Sequence, residues 1–168
     1  MLSDKTSGEF EKTYNLYSEA IFRHCFFRLR NNRELALDIT QETFLKTWNY
    51  LSRGNQIENI RAFLYRTATN LIIDNSRKKR LYSLEELQEN GSGIRLDNVS
   101  NDNISAKAEV KLAMQKINKL KPQYKDAIIM RYIDELPVKE IAQILGQSEN
   151  SVSVNIHRGL AQLKKMIT

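Results

Sequence analysis

Two sets of residues in this chain have the types and spacing to do chemistry, and in both the chemistry is the binding of a polyanion. The first set runs from Arg61 to Arg80: Arg61, Phe63, Tyr65 and Arg66 lead to the basic run Arg77-Lys78-Lys79-Arg80. Basic groups can follow phosphates while aromatic rings stack on unpaired bases. A basic run at a helix end also suits the helix dipole and solubility. The interleaved aromatics favour nucleic acid. The second set is PVKEIAQILGQSENSVSVNIHRGLAQLKK, Pro137 to Lys165. It reads as a helix-turn-helix, whose second helix enters the DNA major groove. Ile141, Ile144 and Leu145 form an apolar stripe on the first helix, and Val152, Ile156, Leu160 and Leu163 one on the second. Pro137 suits the first helical turn, Gly146 a left-handed residue ending that helix, and Ser148 the cap of the next. Ala142 permits a close crossing. The competing reading is a helical hairpin that only builds core.

Nothing points to a reaction. The only histidines, His24 and His157, join no Cys/His or carboxylate cluster with metal-ligand spacing. His24 and Cys25 are adjacent on a helix and do not share a face. Gly-rich phosphate loops and nucleophile motifs are absent, and neither cofactor nor metal is expected. An enzyme acting on nucleic acid is therefore set aside. A regulator with a C-terminal helix-turn-helix and an N-terminal sensing domain would explain Pro137–Lys165, but not Arg61–Arg80.

The elements that must position these residues are helical. The chain has 168 residues, net charge +6 and pI about 9.4, with two Pro and six Gly. That fits one domain or two small helical ones and a polyanionic partner. No apolar run has the length of a membrane span, the N-terminus lacks a signal-peptide core, and the single Cys25 cannot form an internal disulfide. The simplest compartment is the cytoplasm, with no membrane insertion. Charge is blocked along the chain: net +5 over residues 1–83, −4 over 84–105 and +5 over 106–168. The acidic strip, LEELQENGSGIRLDNVSNDNIS, reads as a flexible linker with a short helical turn at Leu84–Glu89. Before it, three amphipathic helices are predicted. Phe10–Arg30 carries Phe10, Tyr14, Tyr17, Ile21, Phe22 and Leu29. Glu34–Leu51 carries Leu35, Leu37, Ile39, Phe44, Leu45 and Trp48. Ile60–Leu81 carries Phe63, Leu64, Ala68, Leu71 and Ile72. The expected fold is all-α: helical domains at 1–83 and 106–168 joined by the linker 84–105, the second domain a helix-turn-helix.

Four segments in order resemble a bacterial extracytoplasmic-function (ECF) sigma factor: ALDITQETFLKTW (Ala36–Trp48), IRAFLYRTATNLIIDNSRKKR (Ile60–Arg80), INKLKPQYKDAIIMRYIDELPVKEIAQILG (Ile117–Gly146) and SVSVNIHRGLAQLKK (Ser151–Lys165). The resemblance implies a non-enzymatic promoter-specificity subunit of RNA polymerase, with core polymerase and promoter DNA as partners and, as in many members, an anti-sigma factor. It implies that Asp38, Gln41, Glu42 and Phe44 bind the core enzyme. For the −10 element it implies Asn55, Gln56 and Asn59 in the loop that captures a flipped base, then Arg61, Phe63, Asn70, Asp74 and Arg77. Phe63 stands where the family usually has Trp. Asp74, which phosphates would repel, is suited to orienting Arg77 or Lys78. For the −35 element it implies Ser151, Ser153, Val154, Asn155, His157 and Arg158. Ser153 and Asn155 are neutral where the family commonly has basic residues, so phosphate attraction falls to Arg158, Lys164 and Lys165. Gln147 replaces the apolar residue usual in the turn. The linker, by the same resemblance, threads the polymerase's basic RNA channel.

Overall fold

Three long helices build the N-terminal half: α1 (Asp4–Arg28), α2 (Arg33–Ser52) and α3 (Ile60–Glu89). This is a computed structural model, and it describes residues 4–89 and 106–168. The chain reverses from α1 to α2 through Arg30 and Asn31, both left-handed (φ 54° and 62°). Asn32 then caps α2, its Oδ1 accepting the Leu35 N–H at 3.1 Å. The three helices pack on one another around Ile21, Ile39, Phe44, Leu64, Ala68 and Ile72.

The stripe expected on α2 is partly wrong. Leu37 and Leu45 are 42% and 58% exposed. Thr40, Thr43 and Thr47 are buried instead, each hydroxyl donating to the carbonyl four residues back at 2.6–2.8 Å. A threonine can enter a core when its own helix satisfies the hydroxyl, and that frees the leucines to face outward. Tyr14 on α1 is likewise exposed. Helix α3 continues beyond Leu81 through the short turn expected at Leu84–Glu89. Leu81, Tyr82 and Leu84 are exposed there, so the run is carried by good helix formers rather than by burial. Residues 90–105, the larger part of the expected linker, lie outside the described residues.

The C-terminal half comprises α4 (Ala106–Asn118), α5 (Pro122–Ile128), a π-helical segment (Ile129–Ile133), α6 (Val138–Leu145) and α7 (Glu149–Ile167). Pro137 lies one residue before α6 rather than in its first turn. Its backbone is extended (φ −69°, ψ 151°), and its carbonyl accepts the Glu140 and Ile141 N–H groups. Gly146 ends α6 at φ 64° with its N–H on the Ala142 carbonyl, and the Ser148 hydroxyl accepts the Ser151 N–H at 3.1 Å to start α7. Val152 and Ile156 face inward as expected. Leu160 does not; it is 41% exposed, because the inward line passes through Gly159 instead. A Cβ at Gly159 would lie 2.5 Å from Ile128 Cδ1 and 3.2 Å from Tyr124 Cβ, so α5 and α7 cross there in close contact. Leu163 packs with Leu120, Tyr124 and Ile128.

The two halves do not keep separate cores. Ala127, Met130, Leu136, Ile141, Ala142, Ile144, Val152 and Ile156 belong to the same buried cluster as Ile21, Leu64 and Ile72. Helix α6 packs on α3, and the π-helical segment packs on α1.

Candidate nucleic-acid interface

The start of α3 is set by Asn59, whose Oδ1 accepts the Ala62 N–H at 3.0 Å and whose carbonyl accepts that of Phe63. Asn59 is thus a helix cap, with part of its hydrogen-bonding capacity already used. In the preceding loop Gly54 turns at φ 86°, and Asn55 donates from Nδ2 to the Tyr50 carbonyl at 3.0 Å. Gln56 is exposed. The half-buried Phe63 ring lies 5.0 Å from that of Tyr50, the planes inclined by 36°. Tyr50, Gln56, Asn59, Phe63 and Arg66 line one side of a recess of about 750 Å³, whose other side is formed by Pro137, Lys139, Glu140 and Gln143; Asn55 is not part of its lining.

Arg61 is not free at this face. Its Nε and Nη2 donate to the Glu140 Oε2 and Oε1 at 2.9 and 2.6 Å, a bidentate pair between α3 and α6. The guanidinium holds the Glu140 carboxyl below the ordinary carboxylate range, so both partners are charged at neutral pH. Further along α3, Asn70, Asp74 and Arg77 are exposed on one side. Asp74 makes no ion pair with Arg77 or Lys78 among the described residues. It lies with both, and with Glu42 and Lys46 of α2, around a recess of about 380 Å³.

On α2, Asp38, Gln41 and Glu42 face solvent together with Leu37 and Leu45. Phe44 does not join them. It is 3% exposed and packs against the rings of Phe10 and Tyr14, so it supports the helix from inside. Sequence reasoning missed Leu37 and Leu45 at this surface. Their signal was spacing, since Leu37, Gln41 and Leu45 are successive i, i+4 neighbours on one face. On α7, Ser153, Val154, His157 and Arg158 are exposed, opposite the inward line of Val152, Ile156 and Gly159. Ser151 is half-buried at the first turn, and Asn155 donates from Nδ2 to Gln147 Oε1 at 3.4 Å.

A buried polar cluster links the halves. His24 Nδ1 lies 2.6 Å from Asp134 Oδ2, both side chains fully buried, and its Nε2 lies 3.3 Å from Thr69 Oγ1. Arg28 donates to Thr69 Oγ1 at 3.2 Å and pairs with Asp126 at 2.8 Å. No local pattern marked this set, because Asp134 is 110 residues from His24. Cys25, beside it in sequence, is also buried, and burial pushes its thiol up to about 11.

Residues 13–82 match the family model for Sigma-70 region 2, and residues 111–163 that for Sigma-70, region 4. With the helical fold, this defines a promoter-recognition subunit of RNA polymerase. The chain is 33% identical over 166 residues to the ECF RNA polymerase sigma factor SigW of Bacillus subtilis (strain 168), covering 94% of this chain and 88% of that protein. It is 31% identical over 165 residues to the RNA polymerase sigma factor YlaC of the same organism, covering 98% and 95%. Its fold matches that of the sigma factor RpoE in complex with the anti-sigma factor NepR from Bartonella quintana, with a TM-score of 0.76 at 18% identity over 95% of this chain and 96% of that one. The chain belongs to the ECF family of RNA polymerase sigma factors. It directs promoter-specific transcription initiation with core polymerase and promoter DNA as partners, and catalyses no reaction itself.

Proposed function

We propose a division of labour among the three faces. The exposed side of α2, Leu37, Asp38, Gln41, Glu42 and Leu45, docks on core polymerase. Two apolar side chains rimmed by acids and an amide have the make-up of a contact surface. That face is the observation that carries the reading. Phe44 acts beneath it as support. The loop residues Asn55 and Gln56, with Phe63, Asn70, Asp74, Arg77 and the pair-bound Arg61, form the −10 face, and Asn59 holds the loop to the helix. Ser153, Val154, Asn155, His157 and Arg158, with Ser151 at the first turn, form the −35 face. Residues 1–83 and 106–168 serve as the two recognition units and 84–105 as their connection.

Two further parts of the reading concern setting. A structure of the same fold is held by an anti-sigma factor, which supports an anti-sigma partner here. No helix among the described residues is long and apolar enough to cross a membrane, which fits work in the cytoplasm.

The test is run-off transcription with purified bacterial core enzyme on genomic fragments. The wild-type chain gives discrete transcripts. Leu37→Asp with Leu45→Asp lowers core affinity at least about tenfold, as loss of central interface side chains does, while the melting curve stays unchanged because both positions are exposed. Full core affinity in that variant would remove α2 as the docking face.

A further inference from the structure

We propose that the seam where the end of α1 meets α5 is a binding site for a small phosphate anion, held by Arg30, Lys121 and Lys125. None of these residues belongs to the three faces proposed for polymerase and promoter. Charge points there first. From Ala20 to Arg33 the chain has four arginines and no acid; from Val110 to Ile133 it has five lysines and one arginine against a single acid, Asp126. The fold brings these two stretches together, and that one acid is already taken, its Oδ1 lying 2.8 Å from Arg28 Nη2. Arg30, two residues beyond Arg28, and Lys125, next to Asp126, are therefore left at the seam without a counter-charge. Among the described residues neither enters an ion pair, nor does Lys121. Lys121 stands one turn before Lys125, its carbonyl accepting the Lys125 N–H at 3.0 Å, so the two ammonium groups rise from one side of α5.

Lys125 is half-buried, while Arg30 and Lys121 are exposed, so a small solute can reach the group. Burial lowers the Lys125 ammonium below the ordinary lysine range, and Arg28 and Arg30 add to this against the opposing pull of Asp126. A charge held in such surroundings gains most from an anion that reaches it. Arg30 has a left-handed backbone (φ 54°), which glycine would adopt with less strain, so the turn itself gives no reason for an arginine. Phosphate fits these groups, since its oxygens accept from a planar guanidinium and from ammonium groups at once. Bound between the α1–α2 turn and α5, it would offset the repulsion across the seam and stabilise the folded chain.

The experiment uses the full chain at constant ionic strength, with sodium tripolyphosphate as the probe and inorganic phosphate and ATP as further arms. Isothermal calorimetry gives the Kd, and circular dichroism the melting temperature. Tripolyphosphate at about a hundred times its Kd should raise the wild-type melting temperature by about 5–10 °C. Lys125→Gln and Arg30→Gly should each weaken binding at least about tenfold. Both should melt at or above the wild-type temperature without anion, since one removes a like charge and the other a strained backbone. Lys12→Gln, about 24 Å back along α1, should bind within about twofold of wild type. Binding of inorganic phosphate or of ATP with the same dependence on Lys125 supports the site and identifies its source. No saturable binding in any arm would overturn it. So would equal weakening in Lys12→Gln and Lys125→Gln, because the anion would then only screen the net charge of the chain. Variants that both melt below wild type without anion would show the two side chains serving the fold instead, which overturns it too. Binding of an oligo-dT of about twenty nucleotides that depends on Lys125, with no binding of the small anions, would replace the site by a further nucleic-acid contact.

Discussion

His24 and Asp134 show how much one buried pair carries at the scale of single residues. Asp134 Oδ1 has no hydrogen-bond partner, so Oδ2 depends on His24 for most of what replaces water. Removing His24 strands a carboxyl group in the core. His24→Leu is expected to cost about 3–5 kcal/mol in urea unfolding, the usual penalty for breaking one side of a buried pair. The double variant His24→Leu with Asp134→Leu should recover most of that loss, because no polar group is then left without a partner. A double variant as unstable as the single one would mean that the pair's stabilisation is not mainly compensation for its own desolvation.

At the scale of the element, α7 carries a glycine in its interior that by helix propensity alone should be improvable. Gly→Ala in a helix ordinarily gains about 0.5–1 kcal/mol. Here the added methyl would meet Ile128 at 2.5 Å and Tyr124 at 3.2 Å. Overpacking of a filled core costs about 1–3 kcal/mol, so Gly159→Ala should destabilise by a net amount of about 1 kcal/mol and lower the melting temperature. A rise in melting temperature would show that α5 can retreat from α7 without loss. Helix α2 makes the matching point about patterning, since it buries three threonines and exposes two leucines.

At the scale of the molecule, the shared cluster joins halves that the charge blocks and the acidic strip present as separate units. Trp48, the only tryptophan, sits on α2 and reports on the N-terminal half alone. Ile141 is fully buried on α6 in the other half. If the core unfolds as one, Ile141→Ala should shift the Trp48 fluorescence transition by about 2–5 kcal/mol, the range for truncating a buried aliphatic side chain. Circular dichroism should give the same midpoint. An unchanged Trp48 midpoint beside a weakened helical signal would show the halves unfolding independently.

The features legible in the chain are those that residues decide within a few positions. Gly146 ends a helix because a left-handed backbone suits a residue without a Cβ, and Ser148 starts the next because its oxygen reaches an N–H three residues on. The stripe of α3 and the first half of that of α7, Val152 and Ile156, followed from helical period, and the four ordered segments carried the family. Local pattern could not decide which of two adjacent faces wins burial. Leu37, Leu45 and Leu160 look like core in sequence, yet Thr40, Thr43, Thr47 and Gly159 hold the inward positions, because packing distance and a satisfied hydroxyl count there as well as hydrophobicity. Nor could it show which charges meet. Arg61 with Glu140 and His24 with Asp134 are pairings across 79 and 110 residues, fixed only when the two halves close on a common core.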